Sequence, residues 1–301
     1  MKTTKVVVIV GPTAVGKSAI AVKLARRFGG EIISADSRQV YRDLDIGTGK
    51  ITRKEMWGVP HHLLDVASPR TQFTVARFTK LAKKALRDIE SRGKLPVVVG
   101  GTGLYIDALF GKVAVPEVPP NLKLRRQLEK KTAERLFTLL QRLDARRALV
   151  IDRHNSRRLI RAIEIAKALG KVPVHSAVVG NSGMDPLYIG LSLPSEELRK
   201  KILVRLFARI SEQGMIEEAQ KLHQQGLSWK RMEALGLEYR YLKRYIKNEI
   251  SKGKMVEELQ KEIYRYAKRQ MTWFRRNEQI RWFNPRKTKE IVHAVSKFLR
   301  R

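Results

Sequence analysis

Unbroken apolar runs alternate with amphipathic stretches over the first part of this chain, and glycines mark the joins. Val6-Val7-Val8-Ile9-Val10 is apolar throughout and β-branched, predicting a strand buried on both faces. After a glycine-bracketed loop, Ile20, Leu24 and Phe28 recur every four residues and predict a helix. Glu31-Ile32-Ile33 and Leu95–Val99 read as further strands. Between them Val75, Phe78, Ala82, Ala85 and Ile89 alternate spacings of three and four, which marks another helix. Strand and helix thus alternate up to about residue 110, the pattern of an α/β fold whose parallel sheet is covered on both faces.

The texture then changes. Val115-Pro116-Glu117-Val118-Pro119-Pro120 reads as a linker, because proline removes ladder donors and stops helices. Residues 121–169 are charged and helical, Lys171-Val172-Pro173 closes that stretch, and residues 180–186 form a loop rich in small polar residues. Tyr188-Ile189-Gly190-Leu191 has the composition of a strand returning to the sheet. The expected organisation is a discontinuous core, residues 1–115 and 186–301, carrying a helical insertion at 116–185. Long helices follow, notably over 255–276, where Val256, Leu259, Ile263, Tyr266 and Trp273 approximate one buried stripe.

The loop between the first strand and helix carries chemistry. Gly11-Pro12-Thr13-Ala14-Val15-Gly16-Lys17-Ser18 fits G-x-x-x-x-G-K-[ST], in which glycines let successive backbone N–H groups converge on phosphate oxygens at a helix N-terminus. Lys17 adds a cation and the Ser18 hydroxyl a ligand for Mg²⁺. An ATP-hydrolysing protein of this type also needs an apolar strand ending in Asp. Here Leu95–Val99 ends in Gly100-Gly101-Thr102-Gly103, so diphosphate binding is the better expectation. Asp36, opening Asp36-Ser37-Arg38-Gln39 at the end of the second strand, delivers a carboxylate to the edge of the phosphate loop. Thr102 offers a hydroxyl from the carboxyl end of its own strand, facing the same crevice.

Charge changes the picture of the partner. Sixty-two Lys and Arg residues against 29 Asp and Glu leave the 301-residue chain at +33. Such an excess points to a polyanion, by attraction and counterion release, and nucleic acid is the default. No apolar run approaches the about 18 residues of a membrane span. The absence of cysteine excludes disulfides and Cys-based metal sites and is compatible with a cytoplasmic location. His61 and His62, in a loop, invite a zinc reading but would point apart on a strand and lack a third ligand; a structural or phosphate-proximal role is expected. In the insertion, Asn155-Ser156-Arg157-Arg158-Leu159-Ile160-Arg161 clusters arginines beside an apolar stripe of Leu159, Ile163 and Ala166, suiting phosphate contacts. Lys268, Arg269, Arg275 and Arg276 near the C-terminus are further candidates.

GPTAVGKS, DSRQVYRDLDIGTGK, PHHLLD, GGTGLYIDAL, NSRRLIRAIE, EALGLEYR and YAKRQMTWFR, in this order, resemble the tRNA dimethylallyltransferase family over nearly the whole chain. The resemblance implies transfer of a prenyl group from dimethylallyl diphosphate to the exocyclic amine of the adenine immediately 3′ of the tRNA anticodon, with Mg²⁺ as cofactor. It implies catalytic roles for Lys17, Asp36, Thr102 and Arg205. It further implies tRNA contacts at Asp36, Ser37, Arg38, Gln39 and Thr102, and at Arg125, Arg157, Arg158, Leu159, Ile160 and Arg161. The target adenine cannot react while stacked, so it is expected to be flipped into the crevice. A monomer acting on the anticodon stem-loop is expected. A small-molecule kinase and an enzyme prenylating free AMP share the phosphate loop, but neither needs so basic a surface. A non-enzymatic RNA-binding protein leaves Asp36 and the phosphate loop without a task.

Overall fold

A computed structural model of the protein describes residues 3–173 and 183–301. The chain begins β1 (Thr4–Val10), α1 (Lys17–Phe28), β2 (Gly30–Ser34), α2 (Arg53–Met56), β3 (His61–His62), α3 (Val75–Ser91), β4 (Leu95–Val99) and α4 (Gly103–Leu109). Four helices follow: α5 (Leu122–Leu128), α6 (Ala133–Leu143), α7 (Ala145–Val150) and α8 (Ser156–Leu169). The remainder is β5 (Met184–Leu191), α9 (Ser195–Ser211), α10 (Met215–Gln224), α11 (Trp229–Leu235), α12 (Leu237–Ile246), α13 (Lys252–Phe274), β6 (Arg281–Phe283) and α14 (Thr288–Arg300).

The strands form one sheet in the order β3-β2-β4-β1-β5-β6, every pair parallel. This is the α/β architecture expected from the alternation. Central β1 shows why its run is apolar throughout. Val6, Val8 and Val10 enter one core with Phe78, Ala82 and Ile89 of α3, while Val7 and Ile9 enter the other with Ile20 and Leu24 of α1. All five are fully buried, each worth about 1.5–3 kcal/mol relative to exposure.

The chain forms two compact units, residues 1–110 with 181–301, and residues 111–180. The first division follows the end of α4, where Gly111 turns the chain with a left-handed φ of 73°, rather than the proline run itself. The second unit has its own core of Leu128, Leu136, Leu140, Leu159 and Ile163. Inside it Val172 donates its N–H to Asp144 Oδ2 at 2.8 Å.

Three details differ from the sequence expectations. Residues 184–186 belong to β5 rather than to a loop, with Val6 opposite Pro186; 180–182 lie outside the described residues. The stripe of α13 is Met255, Leu259, Ile263, Ala267, Gln270 and Phe274, leaving Val256, Tyr266 and Trp273 half-buried beside it. His61 and His62 form a short edge strand on β2 rather than a loop. His62 Nε2 lies 2.7 Å from Glu31 Oε2, which Arg92 also holds at 2.8 Å, and His61 Nδ1 lies 2.8 Å from the Val59 carbonyl, so each ring has a partner within the fold. Among the described residues no group of three or more His, Asp or Glu could hold a metal ion.

Candidate active site

Neighbouring parallel strands β2, β4 and β1 end side by side, so the segments that follow them share one edge of the sheet. After β1, the backbone turns through Gly11 (φ 142°), Ala14 (φ 63°) and Gly16 (φ 102°) into α1. A Cβ on Gly11 would collide with the Leu191 carbonyl oxygen of β5, so this position admits only glycine. Val15 is buried, leaving its backbone amide as its contribution to the loop. No acidic residue occupies the first turn of α1, which keeps its positive end unopposed.

Lys17 folds back within this loop, and its Nζ donates to the Pro12 carbonyl at 2.7 Å. Burial lowers its pKa from 10.5 to about 8, opposed by the Asp36 carboxylate and assisted by the Arg205 cation. Lys17, Asp36 and Arg205 therefore lie within electrostatic reach of one another.

Asp36 leaves β2 in a tight turn in which its Oδ1 accepts the Arg38 N–H at 2.8 Å and the Gln39 N–H at 3.4 Å. Thr102 is bound to the same turn. Its Oγ1 accepts the Ser37 N–H at 3.0 Å, and its own N–H donates to the Ala35 carbonyl at 3.3 Å. Sequence reasoning brought Asp36 and Thr102 to one crevice; the structure joins their loops directly.

Arg205 comes from α9. Its Nη2 donates to the Gly49 carbonyl at 2.8 Å, which Gln39 Nε2 also approaches at 3.3 Å. The loop presenting Gly49 is itself held by a residue the sequence did not single out. Glu218, in the first turn of α10, accepts the N–H groups of Asp45, Ile46 and Gly47 at 2.7–2.9 Å and the Tyr239 hydroxyl at 2.7 Å. Buried Arg209 binds the Ile46 and Gly47 carbonyls and Glu238. Burial and Arg209 depress the Arg205 pKa, while Glu238, Glu55 and Asp36 act to raise it.

Gln270 of α13 was missed as well. Its Oε1 accepts the Thr13 N–H of the phosphate loop at 2.8 Å, and its Nε2 donates to the Gly101 carbonyl at 2.9 Å. One signal was available: Gln270 is the polar member of an apolar stripe. The glycines after β4 follow from such packing. A Cβ at Gly100 would strike the Ala35 backbone, one at Gly101 the Gln270 amide, and one at Gly103 the Trp273 ring. Trp273 is fixed there by its Nε1–H, which donates to Asp107 Oδ2 at 2.8 Å.

Within the second unit, part of the expected RNA surface is engaged in the unit's own packing. Leu159 and Ile160 are buried in its core. Arg125 and Arg161 converge on Glu164, itself only 2% exposed. Arg125 makes a two-pronged pair at 2.7 and 2.8 Å, and Arg161 adds a 3.3 Å contact and donates to the Val118 carbonyl. Burial acts to raise the Glu164 pKa, but the Arg125 hydrogen bonds, the Asn121 N–H and Arg161 outweigh it and hold the carboxyl below 4.5. The resulting stabilisation is present above pH 4.5 and fades as acid protonates Glu164 through its lowered value. Arg157 and Arg158 remain exposed. Arg125→Ala leaves Glu164 buried with a weaker partner and should destabilise this unit by about 2–3 kcal/mol. Faster amide exchange across α8, with the β1 amides unchanged, is the measurement that checks it.

Known proteins similar to this chain identify its family. The model of the IPP transferase family matches residues 39–277. A tRNA dimethylallyltransferase of Treponema denticola is 45% identical over 91% of this chain and 92% of its own. One from Anoxybacillus flavithermus is 40% identical over 97% and 96%. Among solved structures, the tRNA isopentenylpyrophosphate transferase of Bacillus halodurans superposes with a TM-score of 0.73, 37% identical over 97% of this chain and 96% of its own. A eukaryotic dimethylallyltransferase acting on tRNA gives 0.77, 28% identical over 90% and 70%. With a family match over residues 39–277 and a relative 45% identical across 91% of its length, the chain belongs to the IPP transferase family.

Proposed function

We propose that this protein transfers a dimethylallyl group from dimethylallyl diphosphate to the exocyclic amine of the adenine immediately 3′ of the anticodon in tRNA, releasing diphosphate. The observation that supports it most is the convergence of Asp36, Thr102, Lys17 and Arg205 beside a phosphate loop whose family relatives are named for this reaction. The adenine amine is a poor nucleophile, its lone pair being delocalised into the ring. As it attacks the allylic C1, the C1–O bond to diphosphate breaks and the amine proton passes to Asp36. Charge developing on the leaving diphosphate is met by the loop amides, by Lys17 exchanging its Pro12 carbonyl for a phosphate oxygen, and by Arg205. Thr102 holds the amine or the bridging oxygen.

The donor set suits a Mg²⁺ ion that arrives with its substrate, because Ser18 is an exposed hydroxyl at the start of α1 and no carboxylate cage occurs among the described residues. Ser18 and the diphosphate would hold it, and it would supply charge neutralisation. No described helix is long and apolar enough to cross a membrane. We assign the enzyme to the cytoplasm, acting as a monomer.

Incubation with radiolabelled dimethylallyl diphosphate and either tRNA or AMP tests the function. Label is expected in tRNA; label in AMP alone overturns the tRNA assignment, and strict ATP dependence would favour a kinase. Exposed Arg157 and Arg158 are assigned to the tRNA backbone. Replacing both by Ala should lower the log–log salt slope of tRNA binding by about two units, similarly for different tRNAs. An unchanged slope in a salt titration would reduce them to a solvated helix face.

A further inference from the structure

Two loops build the crevice, one to hold diphosphate and one to present Thr102, and a single buried side chain spans them. We infer that Gln270 is a positioning residue for the diphosphate cradle, acting through the Thr13 amide and the Gly101 carbonyl; this rests on the proposed diphosphate chemistry.

Gln270 lies at a position of α13 where Ile263, Ala267 and Phe274 mark an apolar face, and it is 6% exposed. Packing alone would be served by leucine or methionine there. An amide is tolerated at such burial only when its polar atoms are satisfied, and both of its ends are used on loops distant in sequence. The acceptor end takes the N–H of Thr13, the residue immediately before Ala14. Ala14 has a left-handed φ of 63°, a conformation unfavourable for a residue with a Cβ and kept only where the surroundings enforce it. Anchoring Thr13 therefore fixes the point where the loop bends, and so directs the amides that follow, from Val15 to Ser18, toward a phosphate. The donor end binds the Gly101 carbonyl, one residue before Thr102, whose hydroxyl is bound to the Asp36 turn. The Gln270 amide thereby sets the spacing between the diphosphate cradle and the proton-accepting loop. Gly101 has no Cβ to obstruct it, since one would fall on Gln270 Nε2.

The test uses the full chain with two substitutions. Gln270→Met keeps volume and removes both hydrogen bonds. Gly101→Ala leaves the α13 sequence unchanged and displaces the Gln270 amide from the other side of the same contact, its Cβ meeting Lys17 Nζ only at van der Waals distance, 3.8 Å. Isothermal titration with inorganic diphosphate and with dimethylallyl diphosphate should show Kd raised about tenfold in both variants. KM for the prenyl donor should rise in parallel while tRNA affinity stays at the wild-type value. A purely structural role predicts a lowered Tm with donor Kd and KM unchanged, and that result would overturn the inference. If Gln270→Met does not fold, Gly101→Ala decides alone. Failure of the wild-type protein to bind diphosphate would instead remove the proposed function, and this inference with it.

Discussion

Asp36→Asn should lower kcat by about 10²–10⁴-fold, the usual contribution of a general base. The substitution is unusually clean here. Asp36 Oδ1 accepts the Arg38 and Gln39 N–H groups, and an Asn Oδ1 can accept both in the same geometry, though without the carboxylate's charge. The turn, with Thr102 bound to Ser37 within it, is therefore retained. What disappears is the negative charge proposed to receive the amine proton. Single-turnover measurements with tRNA in excess should show the loss entirely in the chemical step, with tRNA affinity near the wild-type value. A variant with normal turnover would remove Asp36 from the mechanism.

Lys17→Ala should reduce kcat/KM for dimethylallyl diphosphate by about 10²–10³-fold, comparable to removing one preorganised donor from a site of developing negative charge. tRNA binding should be unaffected. The wild-type enzyme carries a pH signature of the same residue. Burial disfavours the ammonium, so that in the free protein Lys17 is charged below pH about 8 and neutral above it. Diphosphate binding needs the charged form and must draw in a proton at higher pH. Donor affinity should therefore fall as pH rises through about 8 and level off below it. Lys17→Ala should lose this alkaline limb, which titration calorimetry across the alkaline range would detect.

What the amino-acid sequence reveals about this site depends on how local the interaction is. The phosphate loop, Asp36 and Thr102 each follow directly on an apolar strand, and parallel strands bring their carboxyl ends to one edge, so adjacency in sequence was enough. Arg205 came only through family resemblance, because an arginine in a charged helix has no local mark. Glu218 and Gln270 bind backbone groups more than a hundred residues away, and no periodicity announces such a partner. The ion pairs of Arg125 and Arg161 are hidden for the same reason. A basic helix face looks alike whether its guanidinia meet solvent, RNA or a buried carboxylate, and the Glu164 partner is visible only in three dimensions.

The glycines after β4 carry a consequence for how substitutions combine. Gly101 and Gly103 are small because Gln270 and Trp273, far along the chain in α13, fill the space a Cβ would need. The two stretches are therefore complementary halves of one shape, and selection acts on their fit rather than on either alone. Gly103→Ala should be strongly deleterious beside Trp273 yet much less so beside a smaller residue at that position. In a library varying both segments, fitness at 101 and 103 should depend on the identity at 270 and 273, whereas Gly100, which meets the Ala35 backbone, should find no suppressor in α13.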